Sequence, residues 1–173
     1  VRSWFSLEIV SLDGTVHFYV WTKSASKNQI ESNLYSQFPG IEIYEAEDYT
    51  LPFSYDPEKN NIWATEFDLT SPDYFPIKTF RDLPTDPLSA LTSALAKMQP
   101  GEGAAVQLMI SPSSSAWKEA GKAFIKKEKD PGKENNPKPP PDAKQLEAVE
   151  GKISKSGFDT TIRIITSSGS LDS

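Results

Sequence analysis

Cysteine is absent and histidine occurs once, at position 17. Without thiols there is no disulfide framework, thiol nucleophile or thiolate metal site, and a single histidine excludes a three-histidine zinc site. Long apolar runs are also missing: none approaches the ~18 residues of a membrane-spanning helix, and the N-terminal residues carry no signal-peptide pattern. No glycine-rich phosphate loop is present. Pro100-Gly101-Glu102-Gly103-Ala104 precedes a strand pattern, whereas such a loop follows a strand and opens a helix, and Gly132-Lys133 and Gly151-Lys152 lack its spacing. The chain starts Val-Arg-Ser-Trp, without an initiator methionine, and a strand pattern begins almost at once. The expectation is an excised piece of a longer protein; a processed N-terminus would look the same.

What is present fits a globular chain. It has 173 residues, 37% of them hydrophobic, with a mean hydropathy of -0.48, enough for one domain with a core or one domain and a tail. The net charge of -6 is uneven: residues 1–96 carry 6 basic and 14 acidic side chains, residues 97–173 carry 12 and 10. That balance argues against a dedicated nucleic-acid binder, which shows a basic face.

The opening run from Trp4 to Thr50 predicts a ββαβ unit. Strand one, Phe5–Leu12, alternates Phe5, Leu7 and Ile9 against Ser6, Glu8 and Ser11, broken by Val10. Asp13-Gly14 is a two-residue hairpin signal. Strand two, Thr15–Thr22, places Val16, Phe18 and Val20 on one face and His17, Tyr19 and Trp21 on the other. A helix from about Lys27 to Phe38 carries the stripe Ile30, Leu34, Tyr35 and Phe38 and ends at Pro39-Gly40. Ile41–Tyr44 reads as strand three.

After a proline-containing loop, Ile62–Leu69 reads as strand four. Residues 71–85 read as surface loop. Asp86-Pro87 supplies an N-cap and a first-turn proline for a helix through Leu88, Leu91, Leu95 and Met98. Ala104–Ile110 is a fifth, nearly continuous apolar strand. A helix from about Ser115 follows. Residues 126–141, KKEKDPGKENNPKPPP, have no aliphatic or aromatic residue and five prolines; they cannot offset ordering entropy by burial and read as a disordered Pro/Lys-rich linker. Asp142-x-x-Gln145 resembles a capping box opening a last helix, and Phe158–Ile164 alternates as strand six. The predicted class is α+β, a mainly antiparallel sheet with helices on one face and ferredoxin-like ββαβ/βαβ units. The expected partition is a core at 1–125, the linker at 126–141, a completing helix and strand at 142–166, and a frayed tail at 167–173.

Candidate chemistry is sparse. His17 needs a nucleophile or an orienting carboxylate to act, and a structural histidine is the simpler reading. Glu42, Glu45, Glu47 and Asp48 offer oxygen ligands but lack the glycine-punctuated spacing of a calcium loop; they read as a solvated strand end. Lys118, Lys122 and Lys126 lie at i, i+4, i+8 on one helix face, the start of a lysine run to Lys138 that can meet phosphates or anionic lipid heads. Glu119, Glu128, Asp130 and Glu134 dilute it. Tyr19 and Trp21 are the candidates for a protein contact should their sheet face be open. No catalytic, cofactor or metal residue is expected.

Four stretches carry a family resemblance: FSLEIVSLDGTVHFYVWT, IESNLYSQFPGIEIYEAEDYT, DPLSALTSALAKMQPGEGAAVQLMISPSSSAWKEAGKAF and KISKSGFDTTIRIITSS. In this order they resemble a domain of unknown function in candidate-phyla (Patescibacteria-like) bacteria. There it lies between a membrane-anchoring segment and a conjugation-type (type IV secretion) hexameric ATPase domain. The resemblance implies a non-catalytic accessory domain of a DNA- or protein-translocating ATPase, cytoplasmic at the inner face of the membrane, with an ATPase ring or secretion component as partner. It carries over no functional residue. The alternatives are a weak nucleic-acid or anionic-membrane contact through Lys118–Lys138, and a small hydrolase using His17 or the acidic cluster.

Overall fold

The computed structural model describes residues 3–51, 56, 58, 60–133, 136–137 and 139–169. Among these the elements are β1 (Phe5–Leu12), β2 (Thr15–Thr22), α1 (Ser24–Gln37), β3 (Asn60–Phe67), α2 (Pro87–Leu95), β4 (Gly103–Pro112), α3 (Ala116–Lys129), β5 (Gly132–Lys133), β6 (Asn136–Pro137), α4 (Ala143–Ile153) and β7 (Phe158–Gly169). The class is α+β. Contacts divide the chain into two units: Val1–Phe67, Pro87–Ser111 and Thr160–Ser173 form one, Asp68–Asp86 and Pro112–Asp159 the other.

The first unit holds a five-stranded sheet in the order β2-β1-β4-β7-β3. β1 pairs antiparallel with both β2 and β4, and β3 with β7. The β1–β2 turn forms as expected, with positive φ at Asp13 (50°) and Gly14 (77°), the geometry of a type I′ turn matching strand twist. A side chain at Gly14 would also meet the Met98 carbonyl oxygen at 2.7 Å. The Asp13 carboxylate accepts from the Gly101 N–H at 2.9 Å, which fastens the hairpin tip to the turn before β4. α2 starts at Pro87, packs on β1 and β2, and buries Leu95, whose carbonyl accepts from the buried Ser11 hydroxyl at 2.8 Å.

The predicted strand three does not form: residues 41–48 belong to no helix and no ladder. The ββαβ unit is therefore ββα followed by an irregular segment. Its acidic side chains bind locally instead of accompanying a ladder: Glu42 accepts from the Tyr44 hydroxyl (2.6 Å), Glu45 from Lys27 (3.1 Å) and Asp48 from the Thr50 N–H (2.9 Å). The inward stripe of α1 is corrected too. Ile30 and Leu34 are half-buried, whereas Tyr35 and Phe38 are exposed.

In the second unit α3 packs on α4 through small residues. A Cβ at Gly121 would lie 2.7 Å from Ile153 Cγ2, and one at Gly157 2.5 Å from Trp117 Cζ2. Tyr74, Phe75 and Phe124 form an aromatic cluster with ring centroids 4.7–5.2 Å apart. Lys152 donates to the Asp73 carbonyl and, at 2.8 Å, to that of Phe75, which holds the preceding loop. Asp142 caps α4 by accepting from the Lys144 and Gln145 N–H groups, and Leu146 and Val149 are buried. The linker assignment is corrected at its start. α3 runs to Lys129, where Lys129 pairs with Glu150 at 2.8 Å and basic side chains favour the helix C-terminus. Beyond it, Gly132–Lys133 pairs with Asn136–Pro137. Lys138 and residues 170–173 lie outside the described residues. No described helix is long and apolar enough to cross a membrane.

Candidate functional site

Residues opposite one another in an antiparallel pair share a face, so the registers assign the faces of β2-β1-β4. One face carries Ser6, Glu8 and Val10, opposed by Trp21, Tyr19 and His17 on β2 and by Met109, Gln107 and Ala105 on β4. The other carries Phe5, Leu7 and Ile9, opposed by Val20 and Phe18 on β2 and by Ile110, Leu108 and Val106 on β4.

On β1 the side of the alternation that bears Ser6 and Glu8 is the buried one. Glu8 is 6% exposed and Ser6 and Val10 are buried, while Leu7 is exposed. A carboxylate taken out of water must be hydrogen-bonded to be tolerated, and Glu8 is. The Ser6 and Tyr49 hydroxyls both donate to it. The Gln107 amide donates to the Tyr49 oxygen at 2.9 Å and to Glu8 at 3.4 Å. Tyr49 arrives from the segment after α1, and its ring stacks on Tyr19 with centroids 4.8 Å apart. Burial first, then the Glu8 bond, push the Tyr49 phenol well above its ordinary pKa. Tyr49 and Gln107 escape a reading of apolar periodicity. The available signal is one polar residue, Gln107, in the middle of the apolar run Ala104–Ile110.

This polar face is covered around Glu8 by its own aromatics. Tyr19 lies beneath Tyr49, and Trp21, still partly exposed, stacks on Trp4 at 4.1 Å. His17 lies 5.9 Å from the Tyr19 ring and makes no hydrogen bond or ion pair among the described residues. The opposite face is covered by α2 at its Ser11 end and exposed farther along. Phe18 is 71% exposed, Leu7 and Val20 each 39%, and Phe5, Ile9, Val106, Leu108 and Ile110 are half-buried around them. Soluble monomers rarely leave a contiguous apolar patch of this kind without a binding role.

The lysine face is partly occupied. Lys118 lies 5.5 Å from the Trp117 ring, Lys122 pairs with Glu119 at 2.8 Å, and Lys126 lines an open depression on α3 with Ala123, Lys127, Lys129 and Asp130. Among the described residues no three His, Asp or Glu side chains are grouped to hold a metal.

No curated protein and no solved structure matches the chain. A family model does, and it spans residues 2–172, covering the sheet with its open apolar face, the Glu8 cluster and the α3–α4 pair. The chain belongs to the family described as domain of unknown function DUF8128.

Proposed function

We propose that this domain is a non-catalytic assembly module of a membrane-associated, type IV secretion-like translocating ATPase. On this reading it works at the inner face of the membrane and docks a protein partner on the apolar face of β2-β1-β4. The observation that carries the docking is the in-register patch of Leu7, Phe18 and Val20, exposed on the sheet face opposite the Glu8 cluster. The link to the translocating machine is supported by the sequence resemblance. The passage from β3 through α2 to β4, with β7 lying between the two strands, supports a ferredoxin-like split βαβ unit as its scaffold.

The test is made in the full-length protein. Sequencing the reading frame beyond this domain is expected to show G-x-x-x-x-G-K-[ST]. Phe18→Glu is expected to abolish assembly of the ATPase while leaving the circular dichroism spectrum unchanged. Assembly at the wild-type level with Phe18→Glu refutes the docking face, and a reading frame without the phosphate loop refutes the machine.

A second reading has one observation behind it: Lys126, Lys127 and Lys129 line one depression together with Asp130, with Lys129 also paired to Glu150, a net-basic surface that can meet anionic lipid or nucleic-acid phosphates. It predicts binding that falls steeply with salt, and no affinity at low ionic strength removes it.

A further inference from the structure

We propose that two copies of this chain pair antiparallel through the outer edge of β2, joining their sheets into one. β2 ends the sheet order, and no described strand pairs with its outer side. Natural edge strands are blunted by charge, proline, bulges or a cover. β2, Thr-Val-His-Phe-Tyr-Val-Trp-Thr, has no formally charged residue and no proline or glycine, and its register with β1 is unbroken from Thr15 to Thr22. The opposite edge, β3, is better guarded: it carries Glu66, paired with Arg163 of β7 at 2.5 Å.

The hairpin geometry determines which backbone groups are offered. In a two-residue hairpin the pair flanking the turn, here Leu12 and Thr15, exchanges both hydrogen bonds, and hydrogen-bonded and open pairs then alternate. Val16, Phe18, Val20 and Thr22 therefore turn their N–H and C=O groups outward. A twofold axis perpendicular to the sheet keeps faces matched only in registers that oppose residues of equal parity. The register centred on Tyr19 pairs Phe18 with Val20 and Val16 with Thr22, so all four outward residues find partners. It also sets an aromatic ring beside a β-branched side chain, a favourable cross-strand pair.

Charge selects a second copy as the occupant. The residues that bracket β2 are Asp13 in the turn and Lys23 just beyond its end. Antiparallel self-pairing in this register brings Lys23 of one copy opposite Thr15 of the other, two residues from its Asp13. The same opposition recurs at the far end by symmetry, and no like charges meet. The paired sheets would double the apolar face bearing Phe18. This inference does not depend on which machine the domain serves, and it is scored on a different residue and readout from the Phe18→Glu test.

The experiment measures the mass of the chain in solution by sedimentation equilibrium. Wild type is expected to be a dimer. Val20→Pro removes an outward N–H without breaking the β1 ladder, a position where proline is tolerated, and is expected to halve the mass with an unchanged circular dichroism spectrum. Because the chain has no cysteine, Tyr19→Cys places one thiol at the twofold axis, where opposed Cα atoms approach to about 4.5 Å, within disulfide reach. It is expected to cross-link under mild oxidation while Ser93→Cys on α2 does not, and this arm stands even if Val20→Pro fails to fold. A monomeric wild type, a folded Val20→Pro dimer, or equal cross-linking at both cysteines overturns the proposal.

Discussion

The Tyr49 hydroxyl donates to the Glu8 carboxylate across 41 residues of sequence, and the Gln107 amide of β4 donates to both. One tyrosine thereby pins the irregular segment after α1 to a buried acid in the middle of a sheet strand.

Tyr49→Phe keeps the ring stacked on Tyr19 but takes a donor from a buried carboxylate. Leaving a buried acceptor short of a partner costs about 1–3 kcal/mol, and urea unfolding is expected to show a loss of that size. Glu8→Gln keeps an acceptor for Tyr49 and should cost less. An unchanged midpoint for Tyr49→Phe would mean that solvent already serves the carboxylate.

The same tyrosine predicts an alkaline limit. Its folded-state pKa is raised above the ordinary value of about 10, chiefly by burial. The folded state therefore favours the protonated phenol. Its contribution is complete below about pH 10 and is lost as pH rises from there toward the raised value. The gap in urea midpoint between wild type and Tyr49→Phe should narrow progressively as pH rises above about 10. Midpoints that fall in parallel would place the alkaline sensitivity elsewhere.

Gly157→Ala is expected to destabilise the second unit. The new methyl would lie 2.5 Å from Trp117 Cζ2 and 2.8 Å from Cε2, and overpacking of this kind costs about 1–3 kcal/mol. Trp117→Leu in the same chain should recover part of the loss, so a double-mutant cycle is expected to be non-additive. Additive values would show that the ring moves aside freely.

Lys152→Met removes the ammonium that serves the carbonyls of Asp73 and Phe75. Hydrogen bonds to a charged donor contribute about 1.5–3 kcal/mol, and partial exposure to solvent puts this site at or below the lower end. Amide exchange is expected to quicken around residues 72–76 while the buried Val149 side of α4 stays protected. Protection unchanged at 72–76 would show that the loop is held by the Tyr74–Phe75–Phe124 rings alone.

Much of the backbone plan is legible in the sequence. Asp13-Gly14 specifies its turn by positive φ, Pro87 and Asp142 stand where helices begin, and β1 and β2 span the residues that alternation predicts. The faces are a different matter. Alternation in β1 sets Leu7 and Glu8 on opposite faces without saying which is buried, and Glu8 is the buried one because Tyr49 and Gln107 come from distant segments to satisfy it. No periodicity within eight residues encodes such partners. The missing strand at 41–44 fails for a related reason. Ile41 and Ile43 alternate correctly, but β2 and β3 take the sheet's edges and no described strand lies beside them. Of the protein-contact candidates on β2, Trp21 is exposed and Tyr19 half-buried under Tyr49, while Phe18 across the strand is more exposed than either.

The division of the chain has a consequence for dissection. The backbone passes between the units at 67/68, 86/87, 111/112 and 159/160, and β7 itself starts in one unit and ends in the other. Neither unit is a continuous length of sequence, so no terminal deletion can yield either one alone. One nick at a crossing would leave three covalent tethers intact. Recombination with a related gene at one breakpoint would likewise divide a unit between parents, so the two units are inherited together.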